Sequence, residues 1–232
     1  MPSLTKIVHF MLSATVTSIA VGVMGYSMST GWAQTTMECK GGGVSIFNGT
    51  AIITLKLFAG NLNRSFCPLF GSIEDFQVIP KLVEIDSDVP VVLHGLVLCL
   101  LVLCLLLSAG SILISLYNCV SNPYETYMGP IGIYVCSSLS TFLSVVVLIL
   151  FVVNVNVTNL AEGLVENFSE DIPVDLRNKK SVMLLGYYLV IPYTGLSLWA
   201  ILMIYMYEHA AYKQRKEQQR PTEDAPKEIM MY

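Results

Sequence analysis

The sequence predicts an all-α membrane protein: a bundle of four transmembrane helices with a small β-ribbon in its first external loop. Three observations predict it. Residues 7–28, 91–116, 128–153 and 182–207 contain no Asp, Glu, Lys or Arg, and each run exceeds the roughly 20 residues that an α-helix needs to cross a bilayer core. The chain is 54% hydrophobic and 13% charged with a mean hydropathy of +0.63, too apolar for an ordinary water-soluble domain of 232 residues. N-glycosylation sequons at Asn48, Asn63, Asn156 and Asn167 all fall in the first and third gaps between the apolar runs. Helices rather than barrel strands follow, because lipid leaves every backbone amide to be satisfied internally and the runs lack the alternation of a barrel strand.

The elements are taken in chain order. Residues 1–6 form an internal N-terminus and 7–28 the first span. Gly31 and Ala33 offer the small residues of a signal-peptide cut, but the apolar run is longer than the roughly 7–15 residues of a signal core, so it reads as a span. Residues 29–90 form the first external loop, large enough for a small folded unit. Within it Ile53, Leu55 and Leu57 alternate with Thr54 and Lys56, and Asn48-Gly49 separates this run from 44–47. That is the signature of a hairpin turn. The second span (91–116), an internal loop (117–127), the third span (128–153), a short second external loop (154–181), the fourth span (182–207) and a polar tail (208–232) complete the chain.

Sequons are modified only in the secretory lumen, so the two loops that carry them lie outside and both termini lie in the cytoplasm, with the plasma membrane as the expected destination. Lys213, Arg215, Lys216 and Arg220 follow the fourth span and Lys6 precedes the first, in accord with the positive-inside rule. Arg177, Lys179 and Lys180 run against it, on the side assigned as external.

Helices associate in lipid through close contact at small residues. Gly132, Cys136, Ser140 and Ser144 form such a stripe on the third span at four-residue spacing, and Ala14, Ser18 and Gly22 form a shorter one on the first. Both stripes are expected inside the bundle. Pro192 removes one hydrogen bond from the fourth span; Tyr187, Tyr188 and Tyr193 near one end, with Tyr205 and Tyr207 at the other, read as interfacial anchors.

Of the six cysteines only Cys39 and Cys67 lie outside, in an oxidising compartment, and they are expected to form a disulfide across the first loop. Closing such a loop contributes roughly 3 kcal/mol in the chain-entropy model. Cys99, Cys104 and Cys136 act as small apolar residues within spans. Cys119, at the inner end of the second span, is a palmitoylation candidate.

Catalytic chemistry is not expected. The ionisable inventory of the spans is His9 and His94, each read as an interfacial residue or a helix–helix hydrogen-bond donor. No phosphate loop, metal-ligand spacing or serine–histidine–acid set is present, so no catalytic, cofactor or metal residues are assigned and no nucleic-acid partner is expected. An oligomeric channel or transporter subunit is the second class, weakened by the lack of intramembrane charge. The third is a scaffold. The expected partners are the lipid bilayer, other membrane proteins or further copies through lateral helix contacts, and a PDZ-type scaffold. The mixed-charge tail ends in Met230-Met231-Tyr232, an apolar terminus that can add as a strand to a PDZ-type groove through Met230 and Tyr232.

Trp32 with Cys39-Lys40, Leu57-Phe58 with Gly60 ahead of Arg64 and Cys67, and above all Tyr117-Asn118, Asn122-Pro123-Tyr124-Glu125-Thr126 and Gly129-Pro130-Ile131-Gly132-Ile133-Tyr134 resemble the clarin family. These are small four-span glycoproteins related to claudin- and tetraspanin-like proteins. Tyr212-Lys213-Gln214-Arg215-Lys216 and Ala225-Pro226 resemble most the third member. The resemblance implies a non-enzymatic membrane protein that organises microdomains or cell-surface and cytoskeletal complexes, with relatives linked to hair cells and the perception of sound. A claudin-like adhesion role is the alternative that the placement of the cysteine pair suggests.

Overall fold

Removed from water, a helix still hydrogen-bonds every backbone amide except those at its ends, which makes the four apolar runs the frame of the fold. A computed structural model describes residues 4–41, 49–67, 71–85, 88–120, 129–169 and 174–218. In chain order the elements are α1 (Leu4–Ser29), β1 (Ala33–Gly41), β2 (Gly49–Leu55), β3 (Ala59–Ser65), β4 (Ser72–Gln77), α2 (Val78–Val83), α3 (Asp88–Val120), α4 (Gly129–Asn156), α5 (Leu160–Phe168), β5 (Val174–Met183) and α6 (Leu185–Gln218). Helices α1, α3 and α4 and residues 185–213 of α6 are long and apolar enough to cross a membrane. Each helix has two neighbours: α1 packs on α6 and α3, and α4 packs on α3 and α6.

All four bury side chains at alternating steps of three and four residues. Phe10, Ser13, Thr17, Ala20, Met24 and Ser27 do so on α1. His94, Val97, Leu101, Cys104, Ser108, Ser111 and Ser115 continue the rule on α3, Ser137, Ser140, Ser144, Val147 and Phe151 on α4, and Val190, Tyr193, Ser197, Ala200 and Ile204 on α6. A mean step of 3.5 residues keeps one row facing its partner, as in left-handed coiled coils. The stripe expected on the first span is corrected by this geometry. Ala14 is buried but Ser18 and Gly22 are exposed, because successive steps of four drift by about 40° around a helix of 3.6 residues per turn. On α4, Gly132, Ser140 and Ser144 are buried and Cys136 is half-buried.

The sheet is larger than the expected ribbon. Five antiparallel strands lie in the order β4-β3-β2-β1-β5, so the second loop contributes a strand to the sheet of the first. The expected hairpin between 44–47 and Ile53–Leu57 is replaced. Thr50–Leu55 pairs with Ala33–Glu38, Gly49 is already in β2 opposite Cys39, and residues 42–48 lie outside the described part. Leu57 sits in the turn between β2 and β3. Val182 and Met183, assigned to the fourth span, are instead the last residues of β5, paired with Gln34 and Ala33.

One face of this sheet is covered by α2 and α5. Met37, Ile53 and Leu62 pack there against Leu82 of α2 and Leu160 and Leu164 of α5. Both loops contribute to this core, and joined they form a cap over one end of the bundle.

Cap and bundle meet at Trp32, which is fully buried. Its indole N–H donates to Ser27 O at 2.8 Å, and its ring meets Phe151 edge-on at 4.9 Å. Its backbone N–H donates to Leu55 O at 2.8 Å while its carbonyl accepts from the Leu184 N–H at 2.9 Å. Gly186 N–H donates to Gly31 O at 2.8 Å, and Ser27 Oγ donates to Gly186 O at 2.7 Å. The imidazole of His94 adds a tie at Leu57 O, 2.8 Å away, linking helix to cap rather than helix to helix.

A Cβ on Gly186 would stand 2.6 Å from Trp32 Cδ1 and 2.8 Å from Gly31 O. Gly186→Ala should therefore lower stability by about 1–3 kcal/mol, read as a lower melting temperature in detergent. Gly22→Ala, whose Cβ meets nothing within 4 Å, should leave stability unchanged or raise it by up to about 1 kcal/mol.

Candidate functional site: the cap and the polar seam beneath it

Below the cap, the inward rows of α3, α4 and α6 carry hydroxyls where a water-soluble bundle would carry Leu. The Tyr193 hydroxyl is at their centre. It donates to Cys104 O at 3.2 Å and pairs with Ser108 Oγ at 2.8 Å and with Ser140 Oγ. Ser144 Oγ and Thr194 Oγ1 lie 2.9 Å apart, and Ser111 Oγ and Ser137 Oγ 3.3 Å apart. Three helices are thus joined by a seam of mutual hydrogen bonds. Tyr193, expected at the membrane interface, is instead fully buried, while Tyr188 and Tyr205 are exposed. Pro192, one residue earlier, lies inside α6 on its exposed side.

The cap is closed by three further ties. Cys39 and Cys67 form a disulfide with Cα atoms 5.7 Å apart. Beside it a Cβ on Gly49 would approach Phe66 O at 2.2 Å, so glycine is required where the strand passes the bridge. The Arg64 guanidinium spans both loops: it donates to Phe168 O of α5 at 2.9 Å and to Glu74 Oε1 of β4 at 2.5 Å. The third tie comes from the basic run of the second loop. Two residues of β5, Asn178 and Lys179, oppose Met37 alone, because the pairing shifts between Thr36 and Glu38. The extra residue is a bulge. Asn178 takes a left-handed φ of 54° and donates to Glu38 Oε2 at 2.7 Å. Lys179 reaches Glu162 Oε2 at 2.8 Å and Thr158 O at 3.2 Å, tying strand to α5.

The outer face of the sheet is uncovered. Asn63 is exposed on it, between Ile52 of β2 and Ile73 of β4 in register. Asn156 is exposed at the end of α4, and Asn167 is half-buried with its amide donating to Glu84 O at 3.3 Å. Asn48, Met230 and Tyr232 lie outside the described residues. Cys119 is buried, its thiol 3.9 Å from Ile7 O of α1, so it faces α1 and not the lipid that a palmitoyl chain would enter. Cys99 is the exposed thiol among the described residues.

His9 Nδ1 lies 2.8 Å from Thr5 O of its own helix. Among the described residues no group of three or more His, Cys, Asp or Glu is placed to hold a metal ion. The arrangement is one of shape and attachment: a cap built from both loops, riveted to a bundle whose interior is hydrogen-bonded to itself.

A family profile described as Clarin-2-like matches residues 5–178. Clarin-3 of Mus musculus is 31% identical over 191 residues, covering 81% of each chain. Clarin-3 of Homo sapiens is 29% identical over 236 residues and covers all of both. Clarin-1 of Mus musculus is 30% identical over 181 residues, 73% of this chain and 75% of the relative.

The seam has a measurable weight. Tyr193→Phe should cost on the order of 1–2 kcal/mol, at about 0.6 kcal/mol per hydrogen bond between helices in a bilayer. A double-mutant cycle with Ser140→Ala, followed by unfolding in mixed micelles, should give a coupling of about 0.5 kcal/mol or more. Additive effects would mean that the two hydroxyls do not act as a pair.

Proposed function

The chain belongs to the clarin family, and from that premise we propose that it is a non-enzymatic plasma-membrane glycoprotein that organises a membrane microdomain or cell-surface complex. The observation that carries this reading is the cap. Both loops fold into one sheet whose inner face is filled by α2 and α5 and whose outer face, with Thr36, Thr50, Thr54, Asn61 and Asn63, is left to solvent. A rigid polar face held above a bilayer is suited to recognition by neighbouring surface proteins.

The exposed amides of Asn63 and Asn156 on the cap side support glycosylation there, and with it the reading in which the cap lies outside and both termini lie in the cytoplasm. Lys213 and Lys216, exposed at the far end of α6, support the same orientation. Cytoplasmic scaffolds would then meet the tail and its terminal Met230 and Tyr232. The actin-rich surface of sensory cells is the setting that the family resemblance suggests. The reading as a channel subunit draws only on the polar seam, whose hydroxyls bond to one another rather than line an open path.

Two measurements test the proposal. Single Asn→Gln changes at Asn48, Asn63, Asn156 and Asn167, mapped by glycosidase shift in intact cells, should remove sugar from both loops; modification of one loop alone would overturn the topology. Ile52→Asn completes a new sequon with Thr54 and sets a sugar in the middle of the outer sheet face. Surface cross-linking should then lose neighbours that the wild type captures, at unchanged surface level. An unchanged set of neighbours would sink the role of that face.

A further inference from the structure

At the end of the bundle away from the cap, two charged side chains of opposite sign line one cavity. It measures about 470 Å³ and is walled by Phe10, Pro130, Tyr207 and Tyr212, with Lys6 and Glu208 contributing the charges. A lysine at the end of a span ordinarily extends its ammonium outward to the headgroups. Lys6 does not: it is 4% exposed and sits on the inward row of α1, one turn before Phe10. Glu208 is positioned by α4, since Tyr134 O–H donates to its Oε2 at 3.0 Å. Lys6 lies one residue before the first apolar run and Glu208 one residue after the fourth, which sets the cavity at the depth of lipid headgroups. Across Pro130, which lines both, lies an apolar groove of about 410 Å³ bordered by Ile114, Ile131, Val135 and Cys136.

We propose that this cavity binds one phospholipid with a primary-amine headgroup, its phosphate on Lys6 and its ammonium on Glu208, with an acyl chain in the groove beyond Pro130. The charge pattern selects the occupant. An ammonium offers N–H donors to the Glu208 carboxylate, whereas a choline headgroup has none and a glycerol headgroup has no cation. The size fits a small amphiphile, since ligand sites fall at roughly 300–1,000 Å³. The inference is independent of what the cap recognises. Its consequence is that the bundle is fastened to one leaflet by a specific lipid.

The full chain, purified in mild detergent and offered equal amounts of phosphatidylethanolamine, phosphatidylcholine and phosphatidylglycerol, would be examined by native mass spectrometry. The wild type should retain a single phosphatidylethanolamine in preference to the other two by about tenfold, the size expected from one charge-assisted hydrogen bond. Glu208→Gln should abolish that preference while leaving general lipid retention in place, and Lys6→Met, which removes the partner of the phosphate that all three lipids share, should lower the occupancy of the single retained lipid whichever headgroup it carries. Equal retention of all three lipids by the wild type would identify annular lipid only and overturn the proposal. So would a preference that survives Glu208→Gln, or a single-lipid occupancy that Lys6→Met leaves unchanged. Should Lys6→Met fail to fold, the wild-type competition and Glu208→Gln remain decisive.

Discussion

The whole arrangement hangs on the contact between Trp32 and the backbone around Gly186. At that point α1 gives way to β1, β5 gives way to α6, and the turn between β2 and β3 comes down to meet the bundle. Each partner answers a requirement of another: the indole needs an acceptor for its N–H and finds Ser27 O, while the Ser27 hydroxyl bonds to Gly186 O. Gly186 must lack a side chain because the indole lies against its Cα. A buried Trp with its polar atom satisfied combines a large apolar contact with a fixed orientation. Since β1 and β5 are neighbours in the sheet and α1 and α6 are neighbours in the bundle, one junction aligns both layers. The tilt of the cap on the membrane is thereby set by covalent continuity and a few hydrogen bonds rather than by a hinge.

The inside of the bundle reverses the pattern of a soluble protein. Outward positions such as Leu106, Leu113, Phe142 and Ile149 are large and exposed, while the inward rows mix Val, Leu and Phe with Ser, Thr, Cys and Ala. Lipid solvates Leu as well as a protein interior does, so apolar burial gives little reason for helices to meet. Close approach and hydroxyl pairing take over. Tyr193 fills the centre of the resulting space, and its oxygen joins α3, α4 and α6 where a Phe of nearly equal size would join none of them.

The four spans, the disulfide and the presence of a sheet were legible because each leaves a strong local signal: charge-free length, two cysteines outside the spans, and period-two alternation. The register of the bundle was half legible. Ser140 and Ser144 lie on the true row, but extending a four-residue step along the first span led to Ser18 and Gly22, which face outward. Alternating steps of three and four through Ser13, Thr17, Ala20 and Ser27 carried the correct answer. The strand in the second loop was hidden for another reason. Residues 174–183 read as basic and irregular because a bulge at Asn178 breaks the alternation, and because Lys179 is drawn inward by Glu162, a partner from α5.

That bulge also bears on the basic residues that stand against the expected orientation. The positive-inside rule reflects the cost of moving a cation across a membrane and its attraction to one side, and it counts charges in loops as though they were alike. Lys179 is bonded to a carboxylate and a carbonyl within the cap, and Asp175 faces Lys40 across the neighbouring strands at 3.8 Å. Lys179 of the basic run thus belongs to a folded unit in which it has an acidic partner. A folded cap offsets part of its own charge, so its bearing on orientation is smaller than a count of lysines and arginines suggests.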